Sequence, residues 1–549
     1  TAVRFWIHGG SKGGQSIAFK VIDAYNKNWE SLVSITPSAG QWSEVTVPLE
    51  RLNSPEEIGA LVWQDNAGNE QPTFSLDGIT LVARTGPPPT PLPPVAGPAL
   101  TIDAQAGRKP ISPYIYGMNF ASEELAADLV LPVRRWGGNA TTMYNFKLDV
   151  HNTGSDWYFE NIPEYNSNVA ALPDGSSVDR TIDQDIQTGT KTIISLPVIG
   201  WTPKRRVENH PYDCSYKVSK YGAQESTDAW DPDCGNGKDK NGNNLTGNDP
   251  NDAYMPVTPE FIQEWITHLT TKYGKAADGG VMFYNLGNEP MLWPYTHRDV
   301  HPEMTTYDEV RDRTFLYAPV LKQIDPTAQT LGPVSWGWCG YLYSAKDECK
   351  AGPDYAAHNN TYFVEWYLQQ MAAYEKEHGV RLLDYLDLHI YPQAQGIASD
   401  SPGDPNAQEL RLRSTRSLWD PTYTDESWID KPIFLIPQMR EWVDKNYPGT
   451  KLALTEYSWG GKGSLNGALA QADILGIFGR EGLDLATLWN PPDVKQPASH
   501  AFRMYLNYDG KGSTFGETSV SAVSADQEKL AVYAAQRKSD GALTLIIIN

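Results

Sequence analysis

Cysteine is scarce in this chain, with four in 549 residues. They form two local pairs, Cys214 with Cys234 and Cys339 with Cys349, in loops rich in Gly, Asn and Asp. No C-x-x-C or mixed Cys/His spacing occurs, which excludes a thiolate zinc site and a dithiol redox motif. Two loop-stapling disulfides formed in an oxidising compartment are expected, the alternative being four free thiols. Long apolar runs are also missing: no stretch approaches the ~20 residues of a membrane helix. The chain opens on Thr1-Ala2-Val3-Arg4-Phe5-Trp6-Ile7, which reads as a strand and not as a signal peptide. An extracellular location is therefore expected from other features, with native sequence absent at this end. Basic residues are few: 45 Lys and Arg face 67 Asp and Glu, a net charge of -22. Such a field repels nucleic acid and anionic membrane surfaces, and leaves neutral partners.

Aromatic residues are abundant, with 18 Trp and 29 Tyr against a hydrophobic fraction of only 40%. Part of that load is core; polar-tipped rings also suit sugar faces. The length implies two or three domains. Prolines crowd 87–98 and mark a stiff spacer. Before it, at 1–86, short alternating apolar runs (Val3, Phe5, Ile7; Ile17, Phe19, Val21; Val45, Val47; Phe74, Leu76; Ile79, Leu81) describe an all-β sandwich. Arg4, Trp6 and His8 point away from the apolar set of their strand, so Trp6 is either a binding platform or a contact to another domain.

After the spacer, apolar runs at 113–119, 132–136, 192–199, 281–287, 330–335, 386–391, 452–457 and 483–490 alternate with amphipathic helical patterns. Phe261, Ile262, Trp265, Ile266 and Leu269, for example, follow a Thr258 cap and Pro259. Eight such units predict an α/β fold, a (β/α)8 barrel over 113–500 with its site at the C-terminal strand ends. The segments 99–112 and 501–549, with a hairpin near 530–548, are expected to build a small β-domain from both flanks. The last apolar strand runs to the end of the sequence, and further native residues are expected beyond it.

Glu289, in Tyr284-Asn285-Leu286-Gly287-Asn288-Glu289-Pro290, closes the fourth run; Glu456, in Leu454-Thr455-Glu456-Tyr457-Ser458-Trp459, closes the seventh. Two carboxyl groups facing across one barrel mouth, with aromatic walls, are what cleavage of a glycosidic bond requires. Arg135, ending the second run, suits holding a carboxylate ionised, and Glu456 is its expected client. Asn288 is placed to bond a sugar 2-hydroxyl, His389 and Tyr391 to orient the two glutamates, and Trp489 to floor the cleavage point. Arg135 in a structural ion pair and His389 as a satisfied core residue are the competing readings.

Arg135-Trp136-Gly137-Gly138-Asn139-Ala140-Thr141 with Tyr144-Asn145, together with Asn288-Glu289-Pro290, His389-Ile390-Tyr391-Pro392 and Thr455-Glu456-Tyr457, resembles glycoside hydrolase family 44. The likeness runs from about residue 100 to 549 and leaves the N-terminal sandwich outside; that sandwich looks like modules that bind carbohydrate beside such enzymes. The resemblance implies a barrel with a small β-domain, retaining endo-hydrolysis of β-1,4-glucans such as xyloglucan, carboxymethylcellulose or glucomannan, Glu289 as acid/base and Glu456 as nucleophile. It places Trp136, Asn139 and Tyr144 among substrate contacts; Trp336, Trp338 and Trp459, just past strand ends, and Trp201 and Trp293 are either stacking residues or loop packing. No cofactor is expected for the chemistry. A structural calcium is, since the acidic 231–252 loop is rich in oxygen ligands and the resemblance implies such an ion; Glu160, Asp249 and Asp252 are the expected ligands, a solvated acidic loop without EF-hand spacing being the competing reading. A monomer acting on a neutral polysaccharide is anticipated. Mannanase or xylanase action, transglycosylation, and a barrel that only binds carbohydrate are the alternatives.

Overall fold

The computed structural model of the protein describes residues 2–22, 31–52, 58–68, 70–82 and 97–549. The chain divides into two compact units, Thr1–Gly97 and Pro98–Asn549. Residues 87–96 of the expected spacer lie outside the described residues.

The first unit has two three-stranded sheets. Strands β1 (Ala2–His8), β4 (Trp42–Pro48) and β6 (Ser75–Val82) pair in the order β4-β1-β6; β2 (Ile17–Ile22), β3 (Val33–Ile35) and β5 (Ala60–Asp65) pair in the order β3-β2-β5. The two-residue period of β1 buries Val3, Phe5 and Ile7 and leaves Arg4 and Trp6 exposed. Phe5 meets Phe19 of the other sheet at 5.2 Å between ring centroids. Ile79 and Leu81, expected as a further inward run, lie beyond a register shift in the β1/β6 pairing and stay exposed. Short β3 and β5 carry too weak an alternation to be read from sequence.

In the second unit, β7 (Leu100–Asp103) precedes eight parallel strands: β8 (Gly117–Asn119), β9 (Val133–Trp136), β10 (Lys191–Ser195), β11 (Phe283–Asn285), β12 (Gln329–Ser335), β13 (Tyr385–Ile390), β14 (Lys451–Tyr457) and β15 (Leu485–Leu488). They close into a barrel, β15 pairing back onto β8, and correspond one for one to the eight runs expected. Helices follow them: α1 (Glu123–Leu129), α2 (Ser177–Thr188), α3 (Pro259–Tyr273), α4 (Tyr307–Ile324), α5 (Phe363–His378), α6 (Leu435–Asn446), α7 (Leu465–Glu481) and α8 (Pro497–Leu506). The Thr258 hydroxyl caps α3 by accepting from Phe261 N–H, with Pro259 in the first turn and Gly274 at the exit. α8 reaches Leu506, past the limit of 500 expected for the barrel, because Ala498, Ala501, Phe502 and Tyr505 keep a buried helical stripe there.

One layer of side chains plugs the lower barrel: Val133, Ile193, Phe283, Leu331, Tyr385, Ala453 and Leu485. At the flank, β16 (Thr518–Ser524), β17 (Ala531–Gln536) and β18 (Leu543–Ile548) join β7 in the order β18-β17-β16-β7, giving the small β-domain. It docks on α7, where Tyr533 lies so close to Gly476 that an added Cβ would come within 2.3 Å of its ring, and where Tyr533 donates to Asp473 at 2.7 Å. Cys214–Cys234 and Cys339–Cys349 are both disulfides. No helix among the described residues is long and apolar enough to cross a membrane.

Candidate active site

Above the apolar plug the inward side chains turn polar. Arg135, on β9, is fully buried, and its guanidinium donates to four partners: Asn119 at 3.0 Å, Asn285 at 2.7 Å, Asn288 at 2.7 Å and Glu456 at 2.7 Å. Gly137 makes room for it, since a Cβ there would stand 2.5 Å from Arg135 Nε and 2.8 Å from Ser195 Oγ. Asn119, Asn285, Asp387 and Thr455 extend the layer. Asn285 donates to Asp387 at 2.6 Å, Thr455 Oγ1 donates to the same oxygen at 2.7 Å, and Asn119 donates to the Thr455 carbonyl at 2.9 Å. Sequence reading missed these four residues: each is an inward position of a strand already recognised, and nothing in composition marks inward from outward in a strand buried on both faces.

Glu456 reaches the mouth through a bulge. Asp387 pairs with Ala453 and His389 with Glu456, so β14 carries one residue more than β13 across that interval. Thr455 and Glu456 therefore both serve the interior, which strict alternation would forbid. Glu289 lies four residues past β11 in left-handed backbone, φ 45° and ψ 57°. Its N–H is held by the Val334 carbonyl at 2.9 Å. A non-glycine residue in that region stores strain that its surroundings must offset, and such positions cluster at functional sites.

The two carboxylates and His389 offer oxygen and nitrogen atoms all within 4.8 Å of one another. His389 Nδ1 is 2.8 Å from Glu289 Oε1 and 3.5 Å from Glu456 Oε2, and Tyr391 donates to Glu456 Oε2 at 2.9 Å. Burial, helped by the neighbouring charge of Glu456, raises the Glu289 carboxyl above its ordinary range, although the His389 contact opposes this. Burial works the same way on Glu456, but His389, Arg135 and the Tyr391 hydroxyl outweigh it and lower that carboxyl. The two carboxyls are thus pushed in opposite directions, and divergent pKa values in a close pair mark an acid beside a base or nucleophile. The separation matters too: groups about 5 Å apart suit direct attack on the sugar, whereas a gap of ~6.5–9.5 Å leaves room for a water.

A cavity of about 380 Å³ opens over this pair, lined among others by Phe120, Asn139, Asn288, Tyr391 and Trp489. Trp489 crosses Gly138, whose φ of 103° and missing Cβ let the indole approach: an added Cβ would stand 2.6 Å from it. Phe120, absent from the sequence reading, lies edge-on to Trp489 at 6.2 Å, with φ 48°. Asn139 accepts from Asn288 at 3.2 Å. Other expected contacts are elsewhere. Trp136 and Tyr144 are buried against each other at 4.6 Å, and the Tyr144 hydroxyl donates to Asp149. Trp459 is buried and donates to Ser414. Trp336, Trp338 and Trp201 are half-buried against the core, and Trp293 is buried and donates to the Asn288 carbonyl. Strand-end tryptophans here mostly pack loops, because a large ring next to a barrel finds apolar surface before it finds solvent.

The family model for glycoside hydrolase family 44 matches residues 150–394. The crystal structure of CelM2, a bifunctional glucanase-xylanase protein from a metagenome library, is 44% identical with a TM-score of 0.79, the match covering 82% of this chain and 87% of that one. A Paenibacillus polymyxa xyloglucanase from family 44, solved with xyloglucan, is 32% identical with a TM-score of 0.67, covering 83% and 87%. The chain belongs to glycoside hydrolase family 44. Beta-mannanase/endoglucanase A of Caldicellulosiruptor saccharolyticus is 34% identical over 482 residues, and this chain spans only 34% of that protein's length.

The expected metal ligands of this family 44 chain do not meet. Asp252 is taken up by Lys220, at 2.6 Å, and by the Tyr221 hydroxyl; Asp249 accepts from Asn251 N–H within its own turn. Glu160 instead groups with Asp228 and Asp231, all three buried and their oxygens within 4.8 Å of one another. Burial, then the charges of Asp228 and Asp231, pushes the Glu160 carboxyl up to about 8, and Glu160 Oε1 finds no hydrogen-bond partner. Three crowded oxygen donors with an orphaned lone pair fit a hard divalent cation such as calcium. Of the three expected ligands only Glu160 belongs to this group; the acidic loop meets it through Asp228 and Asp231, not through Asp249 and Asp252. The Cys214–Cys234 bridge is what brings Asp231 back toward Glu160, which pairs with Cys214 across a β-ladder.

Proposed function

We propose that the protein is an endo-acting retaining hydrolase of β-1,4-glucan backbones, with Glu456 as nucleophile and Glu289 as acid/base. The observation that carries this is the close carboxylate pair at the barrel mouth, one raised and one lowered in pKa. In the first step a Glu456 oxygen bonds to the anomeric carbon as its bond to the leaving oxygen breaks and Glu289 gives that oxygen its proton. In the second, water attacks the same carbon, Glu289 takes the water's proton, and the ester to Glu456 breaks. Asn288, fixed by Arg135 and Asn139, bonds the 2-hydroxyl, and Trp489 with Phe120 supports the ring. The relatives' described activities support glucan and xyloglucan as substrates; they equally support mannan or xylan as a second reading.

Three finer points complete the proposal. Glu160, Asp228 and Asp231 hold a calcium ion that ties loops together and takes no part in the chemistry. Two disulfides support an extracellular setting. A site completed within one chain supports action as a monomer. The test is reducing-sugar release and viscosity loss on xyloglucan, carboxymethylcellulose, glucomannan and xylan, with Glu289→Gln and Glu456→Gln alongside. Both variants are expected to lose at least about a hundredfold in kcat, or ~2.7 kcal/mol of transition-state stabilisation. A Glu456→Gln enzyme retaining more would remove Glu456 from the nucleophile's role.

A further inference from the structure

The outer face of the N-terminal sheet β4-β1-β6 is a small lattice of side chains with β1 at its centre. The register places Arg4 between Thr46 and Thr80, Trp6 between Glu44 and Asp77, and His8 between Trp42 and Ser75. All nine share the side opposite to the buried Val3, Phe5 and Ile7. Trp6 is 43% exposed and Trp42 46%, a large uncovered area for residues that dominate cores elsewhere.

Local structure holds both indoles in place. Trp42 lies against the His8 ring at 5.3 Å between centroids, and His8 Nδ1 is fixed by the Gly10 N–H at 3.0 Å. Trp6 crosses Gly78, where φ is 59° and an added Cβ would stand 3.1 Å from its Cδ1. The register shift between Arg4 and Trp6 creates that crossing. As diagonal neighbours on adjacent strands the two tryptophans stand roughly 7–8 Å apart. Around them Thr46, Ser75 and Thr80 are short hydroxyl residues, Asp77 accepts from its neighbour Gly78 N–H at 2.7 Å, and Arg4 is paired with Glu44 at 3.3 Å.

From this we infer that the β4-β1-β6 face is a binding site for the flat faces of β-1,4-linked glucan at the surface of the insoluble polymer, with Trp6 and Trp42 as its stacking platform. The inference rests on the reading of the barrel as a glucan hydrolase. Sugar rings present C–H faces to indoles and hydroxyl edges to carboxylate, imidazole and hydroxyl groups, which is the composition of this lattice. Thr46, Ser75 and Thr80 are too short to wall in the rings and Arg4 and Glu44 are tied to each other, so the face suits a plane better than a chain held in a groove. Its one cation is paired, which argues against a polyanionic ligand.

The experiment measures partition of the full chain between buffer and insoluble cellulose, in the Glu289→Gln background so that the polymer is not consumed. Trp6→Ala, Trp42→Ala, the double variant and Trp42→Phe are compared, with thermal unfolding as the check on folding. Each alanine replacement is expected to weaken retention about tenfold, with Trp42→Phe keeping most of it. With Glu289 restored, the double variant should hydrolyse soluble xyloglucan at the unaltered rate. Equal retention by the double variant and its parent overturns the inference, as does a loss that Trp42→Phe shares together with earlier unfolding. If no variant, nor the parent with Glu289 intact, cleaves any glucan, it is the hydrolase reading that fails, while the difference in retention is read independently.

Discussion

Arg135 is a residue whose charge and position are both fully committed. With no exposure, it depends on Glu456 and three asparagine oxygens for the hydrogen bonds it forgoes from water. Arg135→Met would leave Glu456 buried without its main hydrogen-bonded cation, a change that costs about 3–5 kcal/mol when one partner of a buried pair is removed. Activity needs Glu456 ionised and Glu289 protonated. The acid limb of kcat/KM in the parent enzyme should therefore fall below the ordinary glutamate value of 4.5, and the alkaline limb above it. Arg135→Met should move the acid limb upward in pH and leave the alkaline limb in place or slightly higher, because Arg135 also lowers Glu289. A pH profile in which only the overall rate changes would separate Arg135 from the ionisation of Glu456. Stability follows the same sign: the contribution of a lowered carboxyl is present above its unfolded value and lost as pH falls through its folded one.

The run Arg135-Trp136-Gly137-Gly138-Asn139 shows how one short element serves several needs. Strand β9 delivers Arg135 inward and Trp136 outward; Gly137 clears the guanidinium, and Gly138, at φ 103°, clears Trp489. Gly138→Ala would combine strain with a clash at that indole. We expect kcat/KM to drop about a hundredfold from displacement of the ring by an ångström or so, with the Glu289 and Glu456 pH limbs unmoved; soluble-substrate kinetics beside the pH profile checks this. Elements of this kind set the limit on what sequence reveals. Most of the eight barrel strands were legible as apolar runs set off by helical patterns, and Glu289 and Glu456 pointed to the mouth beyond β11 and β14. The bulge in β14, the positive φ of Phe120, and the burial of Trp136, Tyr144 and Trp459 were not, since each depends on which neighbours the closed barrel brings up. Of the acidic trio, Glu160 and the loop that starts at Asp231 were legible from their oxygen-rich composition, but Asp228, and which loop residues face Glu160, were not, since two loops meet there only once the chain is folded.

At the scale of the whole molecule, each unit has its own core. Phe5, Phe19, Val21 and their neighbours form one, and the barrel with its β-domain the other. Calorimetry of the full chain should accordingly resolve two unfolding transitions instead of one. Chelation is expected to lower the larger transition and not the smaller, because Glu160, Asp228 and Asp231 lie in the second unit. Calcium should restore it, while initial hydrolysis rates well below that transition stay unchanged. A chelator that leaves both transitions in place would end the assignment of those three carboxylates to a cation.

The hub around Arg135 also bears on how such a chain can diverge. Its four acceptors come from Asn119 on β8, Asn285 at the end of β11, Asn288 beyond it, and Glu456 on β14. Lysine, with three donors on a point charge, cannot satisfy them all, and exchanging any one acceptor for an apolar side chain orphans a buried N–H. Drift at these positions is therefore closed to single steps. Substrate preference can wander through the loops above, but this arginine and its circle of acceptors change together or not at all.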